Sequence, residues 1–99
     1  MRIRFEDDDL ERLYVDVSFH HPRLGSDLTK QFRKKMQFIV AAIDDRDLRN
    51  YRGLRLEKLD GDRQGQHSIR LNDQFRLILR LETDDEGRLV IIVELTDYH

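Results

Sequence analysis

The stretch FRLILRLETDDEGRLVIIVEL, residues 75–95, decides the fold. Its first seven residues alternate, with Phe75, Leu77, Leu79 and Leu81 on one side of an extended chain and Arg76, Ile78 and Arg80 on the other. TDDEG is rich in turn formers, so two antiparallel strands meet there. The second strand contains LVIIV, apolar on both parities, which predicts a central strand covered on both sides. The same ambiguity leaves open which face Asp97 and His99 take.

Upstream, LRLEKL (54–59) and QHSIRL (66–71) read as two further strands, separated by DGDRQG and followed by the turn NDQ. Connections this short imply an antiparallel meander. In the strand at 54–58, Leu54 and Leu56 take the covered side, which sends Arg55 and Glu57 to the open one. His67, Ile69 and Leu71 likewise lie opposite Ser68 and Arg70. The open face is thus expected to gather Arg55, Glu57, Arg70, Arg76 and Arg80.

The first half is helical after a short strand at RIRF. Acids at 6–9 suit the start of a helix near 7–15. Ser26 is a candidate N-cap for a longer amphipathic helix carrying Leu28, Phe32, Met36, Val40 and Ile43 and ending before DDRDLRNYRG. The fold class is α+β: one small antiparallel sheet with two N-terminal helices packed on one face, forming a single domain over 1–99.

Composition narrows the function. The 99 residues contain no cysteine, which excludes disulfides, thiolate metal sites and cysteine nucleophiles and fits a reducing cytosol. The start MRIRF runs at once into Glu6, Asp7, Asp8 and Asp9, so no signal peptide or membrane span is expected, and the protein reads as cytoplasmic. The net charge of −2 conceals an asymmetry: residues 22–80 hold 14 Lys/Arg against 8 Asp/Glu, while the flanks carry 4 against 12.

A basic sheet face bearing one carboxylate, with an imidazole near it, matches the needs of RNA cleavage by internal transfer. A base takes the ribose 2′-OH proton, a cation stabilises charge on the phosphoryl oxygens, and an acid protonates the departing 5′ oxygen. No metal or other cofactor is called for. His20 and His21 sit in a loop without a ligand set, and Gly61 and Gly65 look like turn glycines rather than a phosphate cradle.

The run from Leu54 to His99 closely resembles the HigB-type killer proteins of the RelE/ParE toxin superfamily. The shared features are the leucine-containing strand, the L-x-G-D-R-x-G turn at 59–65, the S-I and F-R-L strands and the final Asp97, Tyr98 and His99. The resemblance implies a RelE-like fold and the toxin of a type II toxin–antitoxin module, a ribosome-dependent endoribonuclease (mRNA interferase). Its implied partners are the ribosome with its mRNA and a HigA-like helix-turn-helix antitoxin, with operator DNA reached only through that antitoxin.

Arg76 aligns with the arginine that faces the scissile phosphate, and Asp97, Tyr98 and His99 with the catalytic ending. Glu57 departs from the histidine usual in HigB proteins, as His67 does from tryptophan and Asp60 from lysine. YoeB-type toxins, however, resemble this chain at position 57, pairing a glutamate with an arginine and a C-terminal histidine. Glu57, Arg76 and His99 are then base, phosphate stabiliser and acid, the imidazolium of His99 being favoured by its α-carboxylate and Asp97. Tyr98 is a candidate for stacking on a base, and Arg55, Lys58, Arg63, Arg70 and Arg80 for RNA phosphate contacts. A ParE-like gyrase inhibitor and a non-catalytic antitoxin-binding or corepressor member remain the alternatives.

Overall fold

The computed structural model describes residues 1–97. Tyr98 and His99 lie outside them. Strand β1 (Arg2–Phe5) leads into α1 (Asp8–Val15), α2 (Ser26–Ala41) and α3 (Asp45–Asn50). Then come β2 (Glu57–Lys58), β3 (His67–Arg70), β4 (Phe75–Asp84) and β5 (Gly87–Asp97). The sheet order is β1-β5-β4-β3-β2. Strands β2 to β5 form the expected meander, while β1 joins the edge parallel to β5, so the sheet is mixed.

The helices cover the face formed by Ile69, Phe75, Leu77, Leu79, Val90 and Ile92. Asp7 caps α1 by accepting from the Leu10 N–H at 2.9 Å. Its far end is held by Arg33 of α2, whose Nε donates to the Leu13 carbonyl at 3.2 Å. Ser26 does not cap α2: the helix starts on it, and Gly25 occupies the cap without a side-chain hydrogen bond.

The α2 stripe also differs from the expected one. Phe32 and Met36 are fully buried, but the next core residue is Ile39; Val40 is partly exposed, and Ile43, past the helix end, is 85% exposed. Successive steps of four overshoot the 3.6-residue turn by about 40° each, so a stripe extrapolated by fours leaves the core. Lys35 falls on the buried stripe and donates from Nζ to the Arg70 carbonyl, tying α2 to the end of β3.

Two other differences concern the segment before the meander. Helix α3 is capped by Asp44, whose side chain accepts from the Arg46 N–H at 2.9 Å, and it buries Leu48. The strand expected over 54–59 is shorter: Arg52–Leu54 make a 3₁₀ turn and Arg55 takes φ 47°. A left-handed residue breaks the extended chain, so pairing begins only at Glu57.

Strand β5 is buried on both faces, Val90 and Ile92 against the helices and Leu89 and Ile91 on the other side. Its register against β4 shifts where Ile78 pairs with Glu94 but Leu79 with Ile92, leaving Val93 as an extra residue. Strict alternation from Ile92 would have turned Glu94 into the core. The bulge instead puts Leu95 there and sends Glu94 and Thr96 to the open face.

His67 lies on the helix-covered side as its parity requires, half-buried, and its Nδ1 has no partner among the described residues. Burial, followed by the Lys58 charge, lowers its pKa, with Asp45 opposing. The unfolded chain therefore takes up this proton first as pH falls, and folding weakens from about pH 7 downward through the free imidazole value of about 6.5. Urea unfolding at pH 7 and pH 5 should show a loss of stability that is smaller in His67→Leu. The lowered carboxylates of Glu6, Asp45 and Asp84 act at lower pH. For the core, Phe32→Ala should cost about 3–5 kcal/mol in the same assay, whereas Ile43→Ser should stay within about 0.5 kcal/mol of wild type; equal effects would contradict the α2 stripe described above.

Candidate functional site

Strand pairing arranges the open face in rows. Glu57, Ser68, Ile78 and Glu94 stand side by side across β2, β3, β4 and β5. The adjacent row is Arg70, Arg76 and Thr96. Arg76 leans between the rows: its Nη1 donates to Ser68 Oγ at 3.2 Å, and its Nη2 lies 3.5 Å from Glu57 Oε1. The Arg76 side chain is 16% exposed and that of Glu57 57%.

The long Glu57–Arg76 contact has a chemical consequence. A charge-assisted N–H···O bond closes to about 2.7–2.9 Å when both partners are committed to it. At 3.5 Å the carboxylate is near the guanidinium without being locked to it. A mostly exposed carboxylate beside a cation of restricted mobility can accept a proton from a hydroxyl while the cation faces an adjoining anionic oxygen.

The other candidate cations are placed differently. Arg80 is on the open face but is gripped by Glu6, at 2.8 and 2.7 Å, and by Glu82 at 2.7 Å, which raise its pKa. Arg63, from the turn at Gly61–Arg63, reaches across the sheet to Glu94 and also donates to Gln66 at 3.1 Å. Arg70 pairs with Asp73. Lys58 pairs with His67 and so takes the parity opposite to Glu57, away from the open face. Arg55 precedes β2 in its left-handed conformation, so the expected strand parity does not put it there either.

The open face is therefore charge-compensated rather than bare and basic. Carboxylates that were distant in sequence, Glu6 and Glu94 above all, fold onto it. At the C-terminal end of β5, Asp97 pairs in register with Phe75, on the helix-covered parity, and accepts from Gln74 Nε2 at 3.0 Å. The proposed roles of Tyr98 and His99 fall outside the described residues.

Ser68 and Glu94 are site residues that sequence reasoning passed over. For Ser68 a signal existed, a lone hydroxyl alternating with apolar residues in QHSIRL; for Glu94 the bulge concealed its face. Among the described residues no three His, Asp or Glu side chains are grouped to hold a metal ion.

Residues 3–99 match the family described as RelE-like toxin of type II toxin–antitoxin system HigB. The chain is 36% identical to Toxin HigB-1 of Vibrio cholerae over 80 residues, which is 81% of this chain and 83% of that one. In structure it resembles the YoeB/ParE toxin from Agrobacterium tumefaciens, with a TM-score of 0.57, 14% identity and complete coverage of both chains. A chain of the YoeB–YefM complex from Staphylococcus aureus gives a TM-score of 0.52 at 20% identity, covering 100% of this chain and 97% of that one.

Proposed function

The chain belongs to the HigB family of RelE-like toxins of type II toxin–antitoxin systems, and from that premise we propose that it is a ribosome-dependent endoribonuclease that cuts translated mRNA in the cytoplasm and is neutralised by a HigA-like antitoxin. The observation that carries this reading is the placement of Glu57 beside Arg76 on the open face, 3.5 Å apart, with Arg76 anchored on Ser68.

In this reading Glu57 removes the ribose 2′-OH proton as the 2′ oxygen attacks phosphorus. Arg76 faces the phosphoryl oxygens, where negative charge builds. His99 gives its proton to the departing 5′ oxygen, while Tyr98 stacks on a base and Asp97 supports the imidazole. Free RNA meets a face whose Arg63, Arg70 and Arg80 are already paired with carboxylates, which weakens non-specific phosphate attraction. Dependence on the ribosome follows naturally, because the ribosome then supplies both the mRNA and its orientation.

That same charge compensation favours a second reading, a fold-retaining member that binds its antitoxin and cleaves nothing. Primer extension on an mRNA in a reconstituted translation reaction separates the two. Wild-type protein should give cuts that need ribosomes, and Glu57→Gln and His99→Ala should each lower the cleavage rate by roughly 10²- to 10⁴-fold, the usual contribution of a general acid or base. Folded protein that binds antitoxin yet yields no cuts would establish the second reading. Cutting by both variants at the wild-type rate would remove Glu57 and His99 from the mechanism.

A further inference from the structure

We propose that Glu94 is a specificity determinant: its carboxylate holds the place of an RNA phosphate on Arg63 and so withholds that cation from free RNA. Its bearing on ribosome dependence rests on the cleavage reading above. Arg63 belongs to the turn Gly61–Arg63 between β2 and β3, Glu94 belongs to β5, and β4 lies between them. Adjacent strands stand about 4.8 Å apart, so the Arg63–Glu94 pair must pass over β4 to close. Ile78 of β4, the register partner of Glu94, is fully buried although the helices cover the other face. The pair is thus a strap across the row that contains Glu57.

Carboxylate and phosphate offer a guanidinium the same kind of anionic oxygens, so one can replace the other. The Glu94 oxygen that Arg63 holds also accepts from Thr96 Oγ1 at 3.4 Å, and Arg63 donates to Gln66 at 3.1 Å. The side chains of Arg63 and Glu94 are 36% and 42% exposed, so a phosphate meets the pair without the sheet opening. An ion pair at that exposure adds little stability, and an incoming anion displaces the carboxylate at small cost. Glu94 is fixed in register on β5, whereas Arg63 comes from a turn between left-handed Gly61 and Gly65, at φ 62° and 88°, so Arg63 is the partner that moves. Arg80 is gripped by Glu6 and Glu82, and Arg70 by Asp73, but none of those three carboxylates stands in the row of Glu57.

The test is fluorescence anisotropy of a labelled 2′-O-methyl oligouridylate, which lacks the attacking hydroxyl and stays intact, titrated with the free protein without ribosomes. Glu94→Gln, which keeps the side chain's size, should bind it about tenfold tighter than wild type, as expected for one added charge-assisted contact. The fall of log affinity with log salt should steepen by about 0.7, the share of one phosphate on a single strand. Adding Arg63→Gln to Glu94→Gln should abolish both gains. Glu86→Gln, the same change in charge in the β4–β5 turn beside Arg2, should stay within about twofold of wild type, because salt screens a charge that far away. Wild-type affinity in Glu94→Gln would overturn the proposal. So would a gain that survives Arg63→Gln, or one that Glu86→Gln matches, since either reports net charge rather than release of Arg63. If wild type does not cut mRNA on ribosomes, the cleavage reading falls, and this comparison, which involves no cleavage, still decides whether Glu94 withholds Arg63.

Discussion

The bulge at Val93 is the constraint on which the rest of the sheet depends. Strand β5 must bury Val90 and Ile92 under the helices, keep Leu95 in the same core, and still expose Glu94. A strand of period two cannot do all three, because Ile92 and Leu95 are three residues apart. One extra residue resolves the conflict. It also sets the open face downstream, bringing Thr96 beside Arg76 and Glu94 into the row of Glu57 and Ser68. Fold and candidate site are thus set by one local irregularity.

Charge on the open face follows a consistent design. Arg80, Arg63 and Arg70 each have a carboxylate partner, and Arg2 reaches Asp84 and the Gly87 carbonyl at the opposite edge. Exposed pairs of this kind contribute only about 0–1 kcal/mol each, so stability does not explain them. Their effect is on the field: a face with many arginines is kept from acting as a general polyanion trap. The Glu57–Arg76 contact differs in kind, being longer than the Arg80–Glu6 bonds by about 0.7 Å and sharing its arginine with a neutral hydroxyl.

Much of this was legible in the sequence. The alternation of residues 75–81 gave the faces of β4 correctly, and with them the placement of Arg76 and Arg80. Glu57 and Arg70 also stand on the expected face, and β1, α1 and the four-strand meander agree with their patterns. What escaped has physical causes. Spacing by four drifts off a helical stripe, which misplaced Val40, and Ile43 lies past the end of α2, where no stripe continues. The left-handed turn at Arg55 leaves no trace in an apolar alternation, so LRLEKL read as one strand. Helix α3 has only six residues, too few for a period to show, although Asp44 before an acidic first turn was a usable start signal. The ion pairs of Arg80 with Glu6 and of Arg63 with Glu94 join residues 74 and 31 positions apart, and no local pattern encodes them.

The two members of the central pair are supported unequally, and the inequality suits the proposed chemistry. Arg76 lies on β4, hydrogen-bonded on both sides to β3 and β5, and its side chain is largely covered. Glu57 sits on a two-residue edge strand paired with β3, next to a 3₁₀ turn, with more than half of its side chain in solvent. A phosphate stabiliser must stand still, since its value lies in being oriented before charge develops. A base that meets a ribose brought in by another particle gains from some freedom to adjust, provided that its partner holds position. In the proposed reading, the rigid demand falls at the centre of the sheet and the adaptable one at its edge. Exchanging those positions would give a mobile cation and a fixed carboxylate, an arrangement less able to stabilise the transition state.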